Sequence, residues 1–314
     1  MKRFSNILFV AEAGVDDTRA LTRALELAEH SQARLTVVGT IDFGHSSMSQ
    51  NLRDAMIRER EEELDRLVSR VSGANKPLEV ELLVGKPFIE IIREVLRNER
   101  DLVVKSLANP GLVTVRGTDK RLLRKCPCPV WIIHPQEEHT YRQILLALDY
   151  EPENPENEPL NRQLVEMAAS LALSEFAQLH IVHAWRLEHE GFLRSARSGL
   201  TRAEVDQMVE DEENRRRKWL ETLVGDYCRP LGSEASDYLA PTYHLIQGHA
   251  EDVVPKCATD IDAELVVMGT VGRSGIPGLV IGNTAEVILN TIDCSVMAVK
   301  PAGFASPVTL DDDG

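Results

Sequence analysis

Residues 263–289, AELVVMGTVGRSGIPGLVIGNTAEVIL, decide how the chain is read. Leu265 to Met268 is a short uninterrupted apolar run, the pattern of a parallel strand buried on both faces. Gly269 marks where the backbone leaves the sheet in a conformation costly to residues that carry a Cβ. A helix is predicted to open at Gly282 or Asn283; its first amides lack intrahelical acceptors and carry the positive end of the helix dipole. Strand, glycine-rich loop and helix thus form one unit with free amides, a seat for an anion and most naturally for phosphate. The spacing Gly269-x2-Gly272-x9-Gly282 matches neither GxxxxGK[ST] nor GxGxxG. A tight strand-to-helix turn would use the same glycines, so the residues alone leave both readings open.

Working outward, the chain repeats itself. Asn6–Glu12 (NILFVAE) parallels Gln143–Asp149 (QILLALD), and Ala33–Val38 (ARLTVV) parallels Ala177–Val182 (AQLHIV). In the same order, VGKP from Val84 matches QGHA from Gln247, and DLVV from Asp101 matches ELVV from Glu264. Last, CPVWIIHP from Cys128 matches CSVMAVKP from Cys294. Five landmarks in one order indicate a tandem duplication, with its joint in the polar segment His134 to Tyr141. Residues 1–136 are read as the first domain, 142–302 as the second and 303–314 as an acidic tail, expected to be disordered from Thr309 on.

Each copy alternates strands and helices, which implies an α/β fold with a parallel sheet covered on both faces. In the first copy, strands are predicted over Ile7–Val10, Leu35–Ile41, Leu78–Val84, Leu102–Lys105 and Val130–Ile133. The predicted helices run from about Asp16 to His30, Ser49 to Val71 and Phe88 to Leu96. Asp16 and Asp17 are expected to cap the first of them, and the charge run Arg58 to Glu63 to face solvent beside an apolar stripe of Leu52, Met56, Leu64, Leu67 and Val71. The second copy predicts strands at Ile144–Leu148, Leu179–Trp185, Tyr243–Ile246, Leu265–Met268 and Val296–Val299. Its helices are predicted at Leu160–Leu173, Arg202–Leu223 and Glu251–Thr259. The acidic, proline-broken insert Glu151–Pro159 follows its first strand, where a lid or a plain surface loop would both fit.

At 314 residues, 43% hydrophobic and 27% charged, the chain suits two ordinary globular domains. A net charge of −15 disfavours direct nucleic-acid binding. No apolar run is long enough for a membrane span, and the start resembles no signal h-region, so a cytoplasmic protein is expected. Five cysteines without paired zinc spacing fit a reducing compartment. His180 and His244 fall on strands expected to be neighbours, but no third metal ligand accompanies them, and no metal is expected. No GxSxG elbow occurs. His249 and Arg273 are the charged candidates nearest a bound anion, and Phe192–Leu200 is a basic, partly apolar patch.

The glycine spacing, the repeated βαβ plan and the closing strands resemble the universal stress protein family in its tandem, two-domain, ATP-binding form, over nearly the whole chain. That resemblance implies two doubly wound five-stranded parallel sheets of strand order 3-2-1-4-5, related to the adenine nucleotide alpha hydrolase-like fold. It implies pairing through the last strand of each copy, so that one molecule can be an intramolecular pseudodimer; a homodimer stays open. It also implies adenine nucleotide, ATP above all, in the second copy only. Asp149 would recognise the adenine side, Ala184 and Met268 would line the base pocket, and Gly269, Gly272, Gly282, Asn283 and Thr284 would surround ribose and phosphates. Asn283 departs from the Ser or Thr that the family places after its third glycine. In the first copy Ser106 and Asn109 replace two loop glycines and Glu12 stands where Asp149 stands, so no nucleotide is expected there. The function implied is a cytoplasmic stress-response module, with resistance to DNA-damaging stress among its roles. No base or metal-binding carboxylate cluster is placed for hydrolysis, so it is not expected to be a dedicated enzyme. A slow ATPase, or a carrier or scaffold for a nucleotide-sugar or apolar ligand, is the alternative.

Overall fold

The computed structural model describes residues 4–44, 48–72, 78–107, 117–134, 140–149, 158–229, 232–270 and 282–310. The first half runs β1 (Asn6–Ala11), α1 (Thr18–Ser31), β2 (Arg34–Ile41), α2 (Gln50–Ser72), β3 (Glu79–Val84), α3 (Pro87–Arg97), β4 (Leu102–Ser106), α4 (Gly117–Lys125) and β5 (Val130–Ile133). The second half runs β6 (Gln143–Ala147), α5 (Glu158–Glu175), β7 (Gln178–Trp185), α6 (Glu190–Leu193), α7 (Arg202–Cys228) and α8 (Ser233–Leu239). It continues through β8 (Thr242–Gln247), α9 (Ala250–Asp260), β9 (Leu265–Gly269), α10 (Asn283–Thr291) and β10 (Ser295–Val299). By compactness the chain divides into Met1–Thr140 with Gly269–Gly314, and Tyr141–Met268.

In the first unit β3-β2-β1-β4-β5 are all parallel, in the order the resemblance implies. The apolar runs explain why. Ile7, Leu8, Phe9, Leu102, Val103, Val104 and Trp131 are buried, each such side chain contributing roughly 1.5–3 kcal/mol by leaving water. β10 joins the same unit, antiparallel to β5, with Met297 opposite Trp131. This is the last-strand pairing that the resemblance implies. In the second unit β8-β7-β6-β9 are likewise parallel, with β6 central.

Three sequence expectations are corrected here. Arg60 does not face solvent: it is buried in the gap between Met56 and Leu64 of the α2 stripe, and its Nη2 donates to the Ala11 carbonyl at 2.6 Å. Leu52, assigned to that stripe, is 50% exposed, because the buried face of α2 begins only at Arg60. Asp16 caps α1 as expected, its Oδ1 accepting from the Thr18 amide at 3.2 Å and hydroxyl at 2.6 Å. Asp17 instead turns inward and accepts from the Glu12 amide at 2.6 Å. Within the tail the Thr309 carbonyl accepts from Arg93 Nε at 3.3 Å and Val308 is buried, and residues 311–314 lie outside the described residues.

The helix α4 was not predicted. Leu122 and Leu123 are its buried apolar residues, and Asp119 shares that face, too little pattern to register in a chain this charged. The insert before α5 lies outside the described residues from 150 to 157.

At the start of the second unit's sheet, His180 Nδ1 lies 2.9 Å from His244 Nε2, and His180 Nε2 lies 2.7 Å from Gln143 Oε1. The amide oxygen only accepts, so His180 carries its proton on Nε2 and His244 donates from Nε2 into the free Nδ1 lone pair. Both rings are held neutral: burial lowers each pKa below the usual 6.5, and at His180 the neighbouring His244 lowers it further. A further proton on His180 Nδ1 would set two donors against each other. Because the folded-state values are depressed, the unfolded chain takes up protons first as pH falls below about 6.5, and stability is lost over that interval. Denaturant titrations from pH 7 to 5 are expected to show this acid-side loss and its reduction in H180Q/H244Q; equal pH slopes in the two proteins would refute the assignment.

Candidate functional site

The carboxyl ends of three neighbouring strands in the second unit bring three of the predicted residues to one sheet edge. Asp149 follows the central strand β6 and is exposed. Ala184 lies one residue before the end of β7 and is half-buried, and Met268 lies one residue before the end of β9 and is buried. In an open parallel sheet this edge is where ligands bind.

A buried polar clamp sets the position of that edge. His183 Nδ1 lies 3.0 Å from the Leu148 carbonyl, and Arg216 Nη1 from α7 lies 3.0 Å from His183 Nε2. A guanidinium only donates, so Nε2 accepts and Nδ1 carries the proton. Arg216 is held in turn by Glu212 at 2.6 Å. The Leu148 amide donates to the Val182 carbonyl at 3.0 Å, so the residue before Asp149 is fixed at both polar groups. Asp149 itself accepts through its carbonyl from Asn161 Nδ2 of α5 at 2.6 Å. None of these holding residues was picked out in the sequence. The available signal was a histidine inside an apolar strand and a Glu/Arg pair four apart on a helix face.

At the glycine-rich stretch, Gly269 ends β9 and is half-buried, while Gly272 and Arg273 lie outside the described residues. The neck of the loop is closed by backbone: the Gly282 amide donates to the Thr270 carbonyl at 2.9 Å, and the Thr270 amide to Val299 at 3.1 Å. Gly282 is the N-cap of α10 and supplies no side-chain cap, and Asn283 and Thr284 in the first turn are exposed. Glu286 would repel an anion here, but Lys120 at 2.6 Å and Arg124, both from α4, pair with it. These cations hold its carboxyl below the usual range while balancing its charge. The α10 terminus is therefore an uncapped, locally neutralised set of donors suited to phosphate oxygens.

At the corresponding place in the first copy stands a closed ion cluster. Lys105, aligned with Met268, is fully buried, its Nζ 2.5 Å from Glu12, 2.9 Å from Asp119 and 3.0 Å from the Ser106 carbonyl. Burial alone would depress the ammonium, but Asp119 and then Glu12 outweigh it and the net direction is up. The buried Asp17 beside them is raised, burial outweighing the hydrogen bonds from Ser106 and the Glu12 amide. Asp119 occupies the place in α4 that Ala285 holds in α10. In the first copy the end of β1, the end of β4 and α4 are thus tied together by charge.

The remaining candidates find other partners. His249 caps no helix amide with its ring and accepts from Arg186 Nη1 at 2.7 Å. Arg194 in the basic patch pairs with Glu190 at 2.7 Å and Asp206 at 2.8 Å. Among the described residues no group of three His, Cys, Asp or Glu is arranged to hold a metal, and no helix is long and apolar enough to cross a membrane.

The chain is similar to known proteins in sequence and in fold. The pattern of the "Universal stress protein family" matches residues 3–134 and again 140–300. Universal stress protein E of Escherichia coli strain K12 is 28% identical over 326 aligned positions, covering 100% of this chain and 99% of that protein. The Universal stress protein E homolog of Haemophilus influenzae is 26% identical, covering 96% and 98%. Among solved structures, a functionally unknown protein from Pseudomonas aeruginosa PAO1 superposes with a TM-score of 0.67 at 26% identity, covering 95% of this chain and 93% of the other. A universal stress protein from Archaeoglobus fulgidus, 16% identical, shares the fold at a TM-score of 0.63 over 95% and 98%. With both halves matched and the strand order observed, the chain belongs to the universal stress protein family.

Proposed function

We propose that this protein is a cytoplasmic stress-response binding module whose second copy, residues 142–302, holds ATP or a related adenine nucleotide. The observation that carries the reading is the contrast between copies. The second presents Asp149, Ala184 and Met268 on one carboxyl edge and continues into an uncapped glycine-bounded helix start. The first, residues 1–136, has Glu12 and Lys105 where the second has Asp149 and Met268, and Asp119 of α4 where α10 has Ala285, with both carboxylates paired to Lys105. Asp149 would accept from amino or hydroxyl donors of the nucleoside, Ala184 and Met268 would flank the base, and Gly269, Gly272, Gly282, Asn283 and Thr284 would serve ribose and phosphates. Nucleotide occupancy would then alter the protein's contacts rather than feed catalysis, a reading supported by the described residues, among which no group of three His, Cys, Asp or Glu is arranged to hold a metal. Resistance to DNA-damaging stress belongs to the same proposal, and survival of a deletion strain after ultraviolet irradiation measures it.

Calorimetric titration of the purified full chain with ATP is expected to give one site per chain, weakened at least tenfold by Gly282→Val, which covers the helix amides. Two equivalent sites, or indifference to the substitution, would reject the reading. Mass spectrometry of copurified small molecules separates ATP from a nucleotide-sugar or an apolar cargo. Lys105→Met should leave that stoichiometry at one but destabilise the fold by about 3–5 kcal/mol, the usual cost of leaving buried carboxylates without their cation; a neutral effect in denaturant unfolding would show that the cluster does not fill the first copy.

A further inference from the structure

Among the described residues two lysine ammoniums are buried, Lys105 and Lys300, and only one of them is electrically complete. Lys105 has two carboxylates within 3 Å. Lys300, at the end of β10, is 4% exposed, and among the described residues no carboxylate lies within ion-pair distance of it. Its Nζ donates instead to two neutral acceptors, the Leu123 carbonyl of α4 and Thr270 Oγ1, with the Phe304 ring 5.3 Å away. Thr270 is the residue that opens the glycine loop, and its carbonyl receives the Gly282 amide that closes it. Resting on the reading above, we propose that Lys300 is a positioning residue of the neck formed by Thr270 and Gly282 and that the phosphates of a ligand bound at the start of α10 supply its missing countercharge.

The duplication supports this. In the first copy the matching positions are His134 and Leu107; Leu107 keeps the backbone bond, donating to Ile133 at 2.9 Å, but has no hydroxyl to be gripped. Lysine and threonine therefore occur together in the copy with the glycine spacing and are both replaced in the copy without it. The arrangement also costs stability. A buried charge without a counterion is unfavourable, and burial drags this ammonium down to about 8, with the Cys126 thiol pushing the other way. Cys126 is the titratable neighbour on the α4 side; on α10 Glu286 is paired with Lys120 and Arg124. Because the folded value lies below the unfolded one, charged Lys300 weakens the fold at neutral pH, and that penalty is relieved as pH rises from about 8 towards 10.5. Met at this position removes that penalty, which offsets the loss of the donor to the Leu123 carbonyl, and should fold about as well. An anion at the loop neck would stabilise the charged form, so binding near pH 8 should be accompanied by proton uptake.

The test titrates the full chain with ATP and, separately, with inorganic tripolyphosphate, in buffers of different ionisation enthalpy at pH 7, 8 and 9. Wild type is expected to take up about half a proton per ATP at pH 8, as a group half-charged at that pH becomes fully charged, and to bind more weakly at pH 9. K300M should lose tenfold or more in affinity while melting about where wild type does. K300R should keep most of the affinity without proton uptake, a separation that a merely structural role would not produce, and C126A should leave the uptake unchanged. Wild-type binding that is indifferent to K300M, or free of proton uptake, overturns the inference and leaves the nucleotide reading standing. Lys300-dependent binding of tripolyphosphate without binding of ATP would do the reverse, and binding of neither removes both.

Discussion

An ammonium inside a protein needs negative charge close by, and this requirement organises both copies of the fold. Taking a lysine head group out of water costs several kcal/mol after relaxation, and neutral acceptors recover only part of it. The first copy answers from within: Glu12 from the end of β1 and Asp119 from α4 converge on Lys105 at the end of β4. The cluster links the first strand, the fourth strand and the helix that follows, the three elements that frame a ligand in a doubly wound sheet. Lys300 receives only a carbonyl and a hydroxyl. One copy is thereby finished as a structural body, and the other retains an electrostatic deficit at the loop neck.

A second constraint is shared, and its two solutions show how the copies diverged. The last carbonyl of each first strand faces the helix that covers the sheet and must be satisfied there, because a buried acceptor left alone costs about 1–3 kcal/mol. In the first copy Arg60 reaches Ala11 directly. Room for it exists because position 39 is glycine: a Cβ there would stand 2.7 Å from Leu64 and 3.1 Å from Arg60 Nε. In the second copy the aligned residue is His183, which fills that room and relays the contact from Arg216 to Leu148. Both devices fix the backbone next to the acidic residue that follows the strand, Glu12 in one case and Asp149 in the other. The same geometry thus serves an ion pair in one copy and a sheet edge left accessible in the other.

The strands were legible because each is a run of Ile, Leu and Val bounded by glycine or charge, and the duplication made each reading check its counterpart. Helices with a clear stripe, such as α3 with Phe88, Ile91, Ile92 and Val95 buried, were equally plain. The losses came where polar side chains act inside the core. Arg60 sits in a charge run whose other members do face water, so one-dimensional patterning assigned it to them. Lys105 breaks the apolar run DLVVKS, a visible anomaly, but its partners lie 93 residues before and 14 after it in sequence, and only the closed sheet brings them together. Asp149, Ala184 and Met268 were placed through resemblance, and the parallel register brings them to a common edge. Lys300 looked like the polar end of a closing strand.

Asymmetry of this kind also answers why a duplicated chain would keep a copy that lacks the glycine spacing. β5 of the first copy pairs antiparallel with β10, and Lys120 and Arg124 of its α4 hold Glu286 on α10. A strand edge left open is an aggregation hazard, and an uncompensated acid in the first turn of α10 would work against any anion there. The first copy removes both problems from within the same chain, and its own ion cluster keeps the supporting elements fixed without depending on a ligand. Its α4 also furnishes the Leu123 carbonyl that holds Lys300. Among the described residues, contacts from 120–133 thus bear on the helix start and closing strand of the second repeat, so loss of the first copy's glycines is compatible with a continuing structural part in the second.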